Sequence, residues 1–294
     1  MKPTVRKLII PAAAAALLLP LAACGGGNSS SDDTKSAASS CTPELGAQDL
    51  VKDKTLTIST NATLPPMQYV DPSGKIVGMR VDLGNEIAKT LCLTPKFVNI
   101  PFDAQIPGVQ SGRWDMIDTG MFYTAERAET IKLVPYEVQG VSVSVAKGNP
   151  KGVHSEDDLS GRTVAVEAPG YEFDTLTALN AKLKAAGRKQ MTVRTFQTNA
   201  EAYQALSAGQ ADGVAIVESV TTYYQKDGRF ETAVKGMNPA PLALGFSKGP
   251  TADAVAGALN KLQQNGFLTE LFKKYNVTPY KGAVKVTTGT IPAA

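Results

Sequence analysis

The stretch Thr163-Val-Ala-Val-Glu167, then Tyr171-Glu-Phe-Asp-Thr-Leu-Thr-Ala-Leu179, Thr192-Val-Arg-Thr-Phe196, Ala200-Glu-Ala-Tyr-Gln-Ala-Leu206 and Gly213-Val-Ala-Ile-Val217 decides the fold class. Three short, β-branched apolar runs alternate with two runs whose apolar residues recur at helical spacing, a β-α-β-α-β pattern that requires a layered α/β architecture. The helices are expected near Tyr171–Ala186 and Ala200–Ala208, with a third over Ser219–Gln225.

The same alternation occurs once more on the N-terminal side. Leu56-Thr-Ile-Ser-Thr60 reads as a strand, and Asp71-Pro-Ser-Gly74 as a turn between two further extended runs. Leu83, Ile87, Ala88 and Leu91 share one face of a helix expected over Asp82–Cys92. Lys96–Ile100 and Trp114–Ile117 are expected strands, with a short helix between them that Asp103 would cap. On the C-terminal side Leu242–Phe246 reads as a strand and Ala252–Asn265 as a helix ended by Gly266, before a last helix at Leu268–Tyr275. Two β/α rounds of similar size imply two lobes.

Composition narrows the function. With 43% hydrophobic and 19% charged residues among 294, the chain has the makeup of a globular protein. Its net charge of +3 comes from Lys2, Arg6 and Lys7, so the rest of the chain is neutral and no global field draws a polyanion; nucleic acid is not an expected partner. One histidine, His154, and three cysteines leave too few ligands for a zinc site and make a Ser-His-Asp triad improbable. There is no Gly-x-x-x-x-Gly-Lys-Ser/Thr phosphate loop, and no cofactor is expected.

The N-terminus carries an export signal over residues 1–23: three basic residues, then the apolar run Leu8–Ala22 broken by Pro11 and Pro20, too short for a membrane-spanning helix. The tetrad Leu21-Ala22-Ala23-Cys24 resembles the lipobox of bacterial lipoproteins, which implies that Cys24 becomes the lipidated first residue of the mature chain. The alternative is an ordinary secretory signal. Residues 24–43, rich in glycine, serine and alanine, cannot bury a core and read as a tether. Export makes a disulfide between Cys41 and Cys92 the favoured pairing over two buried thiols, because oxidised pairs persist outside the cytoplasm.

Leu56-Thr-Ile-Ser-Thr-Asn-Ala-Thr-Leu-Pro-Pro-Met67, Gly74-Lys-Ile-Val-Gly78, Ile106-Pro-Gly-Val-Gln-Ser-Gly112, Gly120-Met-Phe-Tyr-Thr-Ala-Glu-Arg127, Asp158-Leu-Ser-Gly-Arg-Thr-Val-Ala-Val166 and Gly209-Gln-Ala-Asp-Gly213 together resemble the family of solute-binding proteins that serve amino-acid ABC importers. The likeness runs from about residue 50 to 278, and the run ending in Thr-Ala-Glu-Arg is its most diagnostic part. It implies a type II periplasmic-binding-protein fold: lobe one from residues 44–142 and 243–280, lobe two from 143–242, joined by crossover strands near Ser142–Ala146 and Asn238–Leu242, with a tail over 281–294. It further implies a monomer that closes on a small ligand and docks on a membrane permease with a separate ATPase, anchored by lipid to the outer face of the cell membrane.

Arg127 lies in the first turn of a helix capped by Thr124, where the helix dipole disfavours a cation unless an anion is near. The resemblance implies that this anion is the ligand's carboxylate, held by Arg127 with backbone amides of Thr119, Gly120 and Phe122; the alternative is a surface pair with Glu126 or Glu129. Departures from the family pattern are as informative. Asn61 and Val217 stand where relatives carry acids for an ammonium group, Leu64 and Met67 where they carry aromatics, and Pro169-Gly170-Tyr171 where they carry a Gly-Thr-Thr-like turn. Glu167, unless it is a solvated strand-end charge, or Glu218, if a one-residue bulge brings it in, would then supply the missing negative charge; otherwise the ligand is a modified amino acid, an opine-like conjugate or a non-amino carboxylate. Two other readings stay open: a ligand sensor for a membrane receptor or kinase, and a dehydratase-like enzyme using Glu167 or Glu172 as acid or base.

Overall fold

The computed structural model describes residues 41–226 and 228–289; the export signal, Cys24 and all of the tether before Cys41 lie outside the described residues. Lobe one begins with β1 (Thr55–Thr60), followed by a small antiparallel sheet of β2 (Thr63–Leu64), β3 (Gln68–Val70) and β4 (Ile76–Val77). The expected turn at Asp71–Gly74 joins β3 to β4: the Asp71 carboxylate accepts hydrogen bonds from the Ser73 and Lys75 amides at 2.8 and 3.0 Å. α1 (Met79–Thr90) follows and buries Leu83, Ile87 and Ala88, the face expected from the spacing. It starts three residues early because the Pro66 and Met67 carbonyls receive the Met79 and Arg80 amides, two of the donors that a helix start leaves unpaired.

β5 (Thr94–Asn99), α2 (Gln105–Gln110) and β6 (Met116–Phe122) complete the first round, with β1 parallel to both strands. Asp103 does not cap α2; it sits in a 3₁₀ turn over Phe102–Ala104 and makes no cap hydrogen bond. Trp114 precedes β6, buried in the core with its indole N–H on the Gln105 carbonyl at 3.1 Å. The Cys41–Cys92 disulfide ties the start of the described chain to the end of α1 across 51 residues, with Cα atoms 5.5 Å apart.

α3 (Ala125–Thr130) leads into β7 (Lys132–Ala146), and lobe two adds β8 (Thr163–Glu167), α4 (Tyr171–Ala185), β9 (Thr192–Phe196), α5 (Asn199–Ser207), β10 (Gly213–Val217) and α6 (Glu218–Gln225). The chain returns through β11 (Phe230–Phe246) to α7 (Gly249–Gln264), α8 (Phe267–Tyr275) and β12 (Thr278–Pro279). Gly266, at φ 84°, ends α7 as its position predicted. Residues beyond Tyr280 stay attached: Val284 is buried in the core and the Thr287 amide bonds the Leu133 carbonyl at 2.8 Å.

One sheet carries both lobes, in the order β5-β1-β6-β11-β7-β10-β8-β9. β7 and β11 run antiparallel through its centre for 15 and 17 residues, so each belongs to lobe one at one end and lobe two at the other. Ser142–Ser144, expected in the first crossover, already pair with β10 in lobe two; the change of neighbours falls at Val138–Val141. There Gly140 and Gly236 pass so closely that a Cβ on Gly140 would stand 2.5 Å from the Gly236 Cα. The partner strand loses register between Met237 and Ala240, with Asn238 at φ 45°. These long strands escape sequence patterning because buried Glu137 and Gln139 and the ring of Pro135 interrupt β7's apolar run.

Candidate ligand-binding cleft

In a sheet built of parallel β/α units, side chains converge beyond the C-terminal strand ends. Here β1 delivers Asn61, β6 delivers Thr119, Gly120 and Phe122, β8 delivers Glu167, and β10 delivers Ala215 and Val217, all to one cavity between the lobes. Leu64, Phe102, Arg127, Pro169, Gly170, Tyr171, Glu172 and Asn199 complete its wall. Of the ligand contacts expected from sequence, Asn61, Leu64, Thr119, Gly120, Phe122, Arg127, Glu167, Gly170 and Tyr171 are thereby brought together. Two are not. Met67 is fully buried in the lobe-one core, its backbone bonded to the Leu64 carbonyl and the Arg80 amide, and Glu218 is solvent-exposed at the start of α6. No bulge turns Glu218 inward, because Gly213–Val217 keep regular register with β7 and β8.

Thr124 caps α3 as expected, its hydroxyl accepting the Arg127 amide at 3.2 Å. The guanidinium is held on the cleft side: Nη1 donates to the Phe122 carbonyl at 2.6 Å and the group lies 5.3 Å over the Phe102 ring. Among the described residues it makes no salt bridge, so neither Glu126 nor Glu129 neutralises it. Burial pulls its pKa below the ordinary arginine value, while Glu172 and Asp174 oppose the shift. A desolvated cation with unused donors is suited to a carboxylate.

Glu167 faces it from lobe two. Its carboxylate accepts from the Asn61 side-chain amide of lobe one at 3.0 Å and from the Asn199 side-chain amide of lobe two. Burial, reinforced by the neighbouring Glu172, pushes its pKa up to about 7 against these two donors. Burial also raises Glu172. Tyr171 closes the cavity: its ring stacks on Phe122 of lobe one with centroids 4.2 Å apart, and its hydroxyl donates to the Asn238 carbonyl at 2.9 Å. The cavity is about 30 Å³ in volume, room for roughly two or three waters. The wall residues missed from sequence include Phe102 and Asn199, whereas Glu172, considered there only as an acid or base, does reach the cleft. The only signal for Asn199 was its place after Thr198, whose capping box with Glu201 fixes the start of α5.

No group of three or more histidine, cysteine or acidic side chains able to hold a metal occurs among the described residues. None of their helices is long and apolar enough to cross a membrane.

Two α/β lobes on paired crossover strands, with a cleft formed by residues of both, define a solute-binding protein of the type II two-lobed class. The family model described as bacterial extracellular solute-binding proteins, family 3, matches residues 56–278, and the chain belongs to that family. Its relatives include the probable ABC transporter arginine-binding protein ArtJ of Chlamydia trachomatis, 28% identical over 75% of this chain and 85% of the relative. The arginine-binding protein ArgT of Corynebacterium glutamicum is 26% identical over 80% and 79%, and the L-cystine-binding protein TcyJ of Escherichia coli 25% over 78% and 86%. Among solved structures, an ancestral arginine-binding protein bound to glutamine superposes with TM-score 0.67 at 30% identity, over 76% of this chain and 97% of that one. An ancestral amino acid-binding protein described as a precursor of cyclohexadienyl dehydratase does so with TM-score 0.67 at 28% identity, over 76% and 95%.

Proposed function

We propose that this chain captures an α-amino acid or a closely related carboxylate-bearing amine and presents it to an ABC permease, from the outer face of the cell membrane to which Cys24 anchors it. The observation that carries the reading is the opposition, in one cavity, of the Arg127 guanidinium from lobe one and the Glu167 carboxylate from lobe two. Arg127 takes the ligand's carboxylate in place of the carboxylate partner it lacks among the described residues. Glu167, held by Asn61 and Asn199, gives up its proton as the ligand's ammonium arrives and pairs with it, so that a zwitterion joins the lobes. The relatives' names, with their arginine and cystine ligands, support the amino-acid class.

A carboxyl of pKa about 7 in a cleft also suits general acid–base work, and one structural neighbour is described as the precursor of a dehydratase. One experiment separates the readings: a thermal-shift screen of the twenty amino acids and their close carboxylate analogues, with each hit then incubated and analysed for product. Binding gives a hit that is recovered unchanged and is lost in Arg127→Ala; at a hundredfold excess over Kd it stabilises by about 2.7 kcal/mol. Conversion of the hit would establish the enzyme reading instead, and retention of the shift in Arg127→Ala would remove Arg127 from the site.

A further inference from the structure

Beneath the cleft lies a buried polar chain that the binding residues do not use. Arg80 of α1 is 1% exposed and its guanidinium is fully engaged. Nε donates to the Tyr136 hydroxyl at 2.9 Å, Nη1 to the Gln68 side chain at 2.7 Å, and Nη2 to Glu137. On the cleft side Gln68 Nε2 donates to the Thr119 carbonyl at 2.9 Å, and Gly120 rides on the guanidinium with space for a Cβ only 3.0 Å from its carbon. On the other side Glu137 accepts from Gln139 Nε2 at 3.3 Å, and Gln139 Oε1 accepts the backbone N–H of Ser219 at 2.9 Å. The chain therefore runs from the cleft strand of lobe one to the first turn of α6 in lobe two.

Gln139 stands at the centre of this path and of the crossover. It is 6% exposed, lies on β7 where that strand changes lobes, and pairs across with Ala240 on β11. α6 has no side-chain cap of its own at Val217, so one of its first-turn donors depends on a residue anchored to lobe one through Glu137 and Arg80. A rotation of lobe two that carries Ser219 away from Gln139 would break that bond and hydrate both groups.

We infer that Gln139 is a positioning residue that latches the closed form, by capping α6 of lobe two from the Arg80–Glu137 anchor of lobe one. The latch assists whatever ligand the cleft takes. It rests on the two-lobe closure that the proposed function requires, but not on the ligand's identity.

The test is a double-mutant cycle read as the ratio of closed to open molecules. Nitroxides on cysteines introduced at exposed Lys96 of β5 and Lys184 of α4, in the full chain carrying Cys24→Ser, report the lobe separation by double electron–electron resonance in buffer alone. Gln139→Leu keeps the volume and removes the acceptor. Ser219→Pro removes the donor at a first-turn position where proline is tolerated. Each change is expected to shift the ratio about tenfold towards the open form, the worth of one capping hydrogen bond, and the double variant no further than either single one. A merely structural role would lower the melting temperature and leave the ratio unchanged. An unchanged ratio in both single variants, or shifts that add in the double variant, would overturn the latch. Absence of any amino-acid ligand would count against the proposed function and leave this result standing.

Discussion

Replacing Glu167 by glutamine offers a quantitative test of the cleft's electrostatics. Burial and Glu172 raise the Glu167 pKa from 4.5 to about 7, so the folded protein holds a proton there that the unfolded chain has lost. Below pH 4.5 the carboxyl is neutral in both states and contributes its full stability; that contribution falls as pH rises and is gone above pH 7. The shift corresponds to at most about 3 kcal/mol, and the partial exposure of Glu167 reduces this to roughly 2 kcal/mol. Glu167→Gln removes the titration and keeps one accepting oxygen for Asn61 or Asn199; the other asparagine must turn its own amide oxygen to the new NH2 group. Wild type and variant are therefore expected to have similar stability at pH 4.5, with the variant roughly 2 kcal/mol more stable at pH 8, a difference of about 4–8 °C in melting temperature for a chain of this size. Asp118, raised to about 7 by burial and by Glu137 against the pull of Arg80, tilts both curves alike and cancels in the difference. Calorimetric melts of both proteins at half-unit steps from pH 4.5 to 8 measure the effect. A difference that does not change with pH would refute the picture of a desolvated, titrating carboxyl in the cleft.

Other expectations follow from particular contacts. Arg127→Lys keeps the charge but loses the planar fork, and should weaken a carboxylate ligand about 10–100-fold by isothermal calorimetry. Opening the disulfide with Cys92→Ser frees a loop spanning 51 residues and should lower stability by up to about 4 kcal/mol, read from urea midpoints. Gly140→Ala forces a methyl against the Gly236 backbone and should cost about 1–3 kcal/mol, whereas Gly257→Ala in α7 meets nothing within 4 Å and should stabilise by up to about 1 kcal/mol.

The sequence made the β/α rounds visible because their strands and helices keep simple periods. Leu83, Ile87 and Ala88 fall inward as spaced, and Thr124 caps α3 as its position before Ala-Glu-Arg required. What escaped it depends on partners distant in sequence. Arg80 looks like an ordinary surface cation of an amphipathic helix until Asp118 and Glu137, far along the chain, are folded around it. Met67 holds a cleft position by family resemblance and Glu218 only as the neighbour of Val217, but the core claims the first, and regular pairing of β10 leaves the second outside. Phe102 and Asn199 enter the wall through a 3₁₀ turn and a helix start, local geometries that hydrophobic patterning does not specify.

Under the proposed function the cleft reads a carboxylate with Arg127 and an ammonium with Glu167. Isothermal calorimetry of the wild-type chain with any amino acid that the thermal screen returns, beside its decarboxylated amine and its deaminated acid, tests both ends at once. Heat is expected from the intact amino acid, and at least tenfold weaker binding from each truncated compound. Equal binding of the decarboxylated amine would contradict that reading.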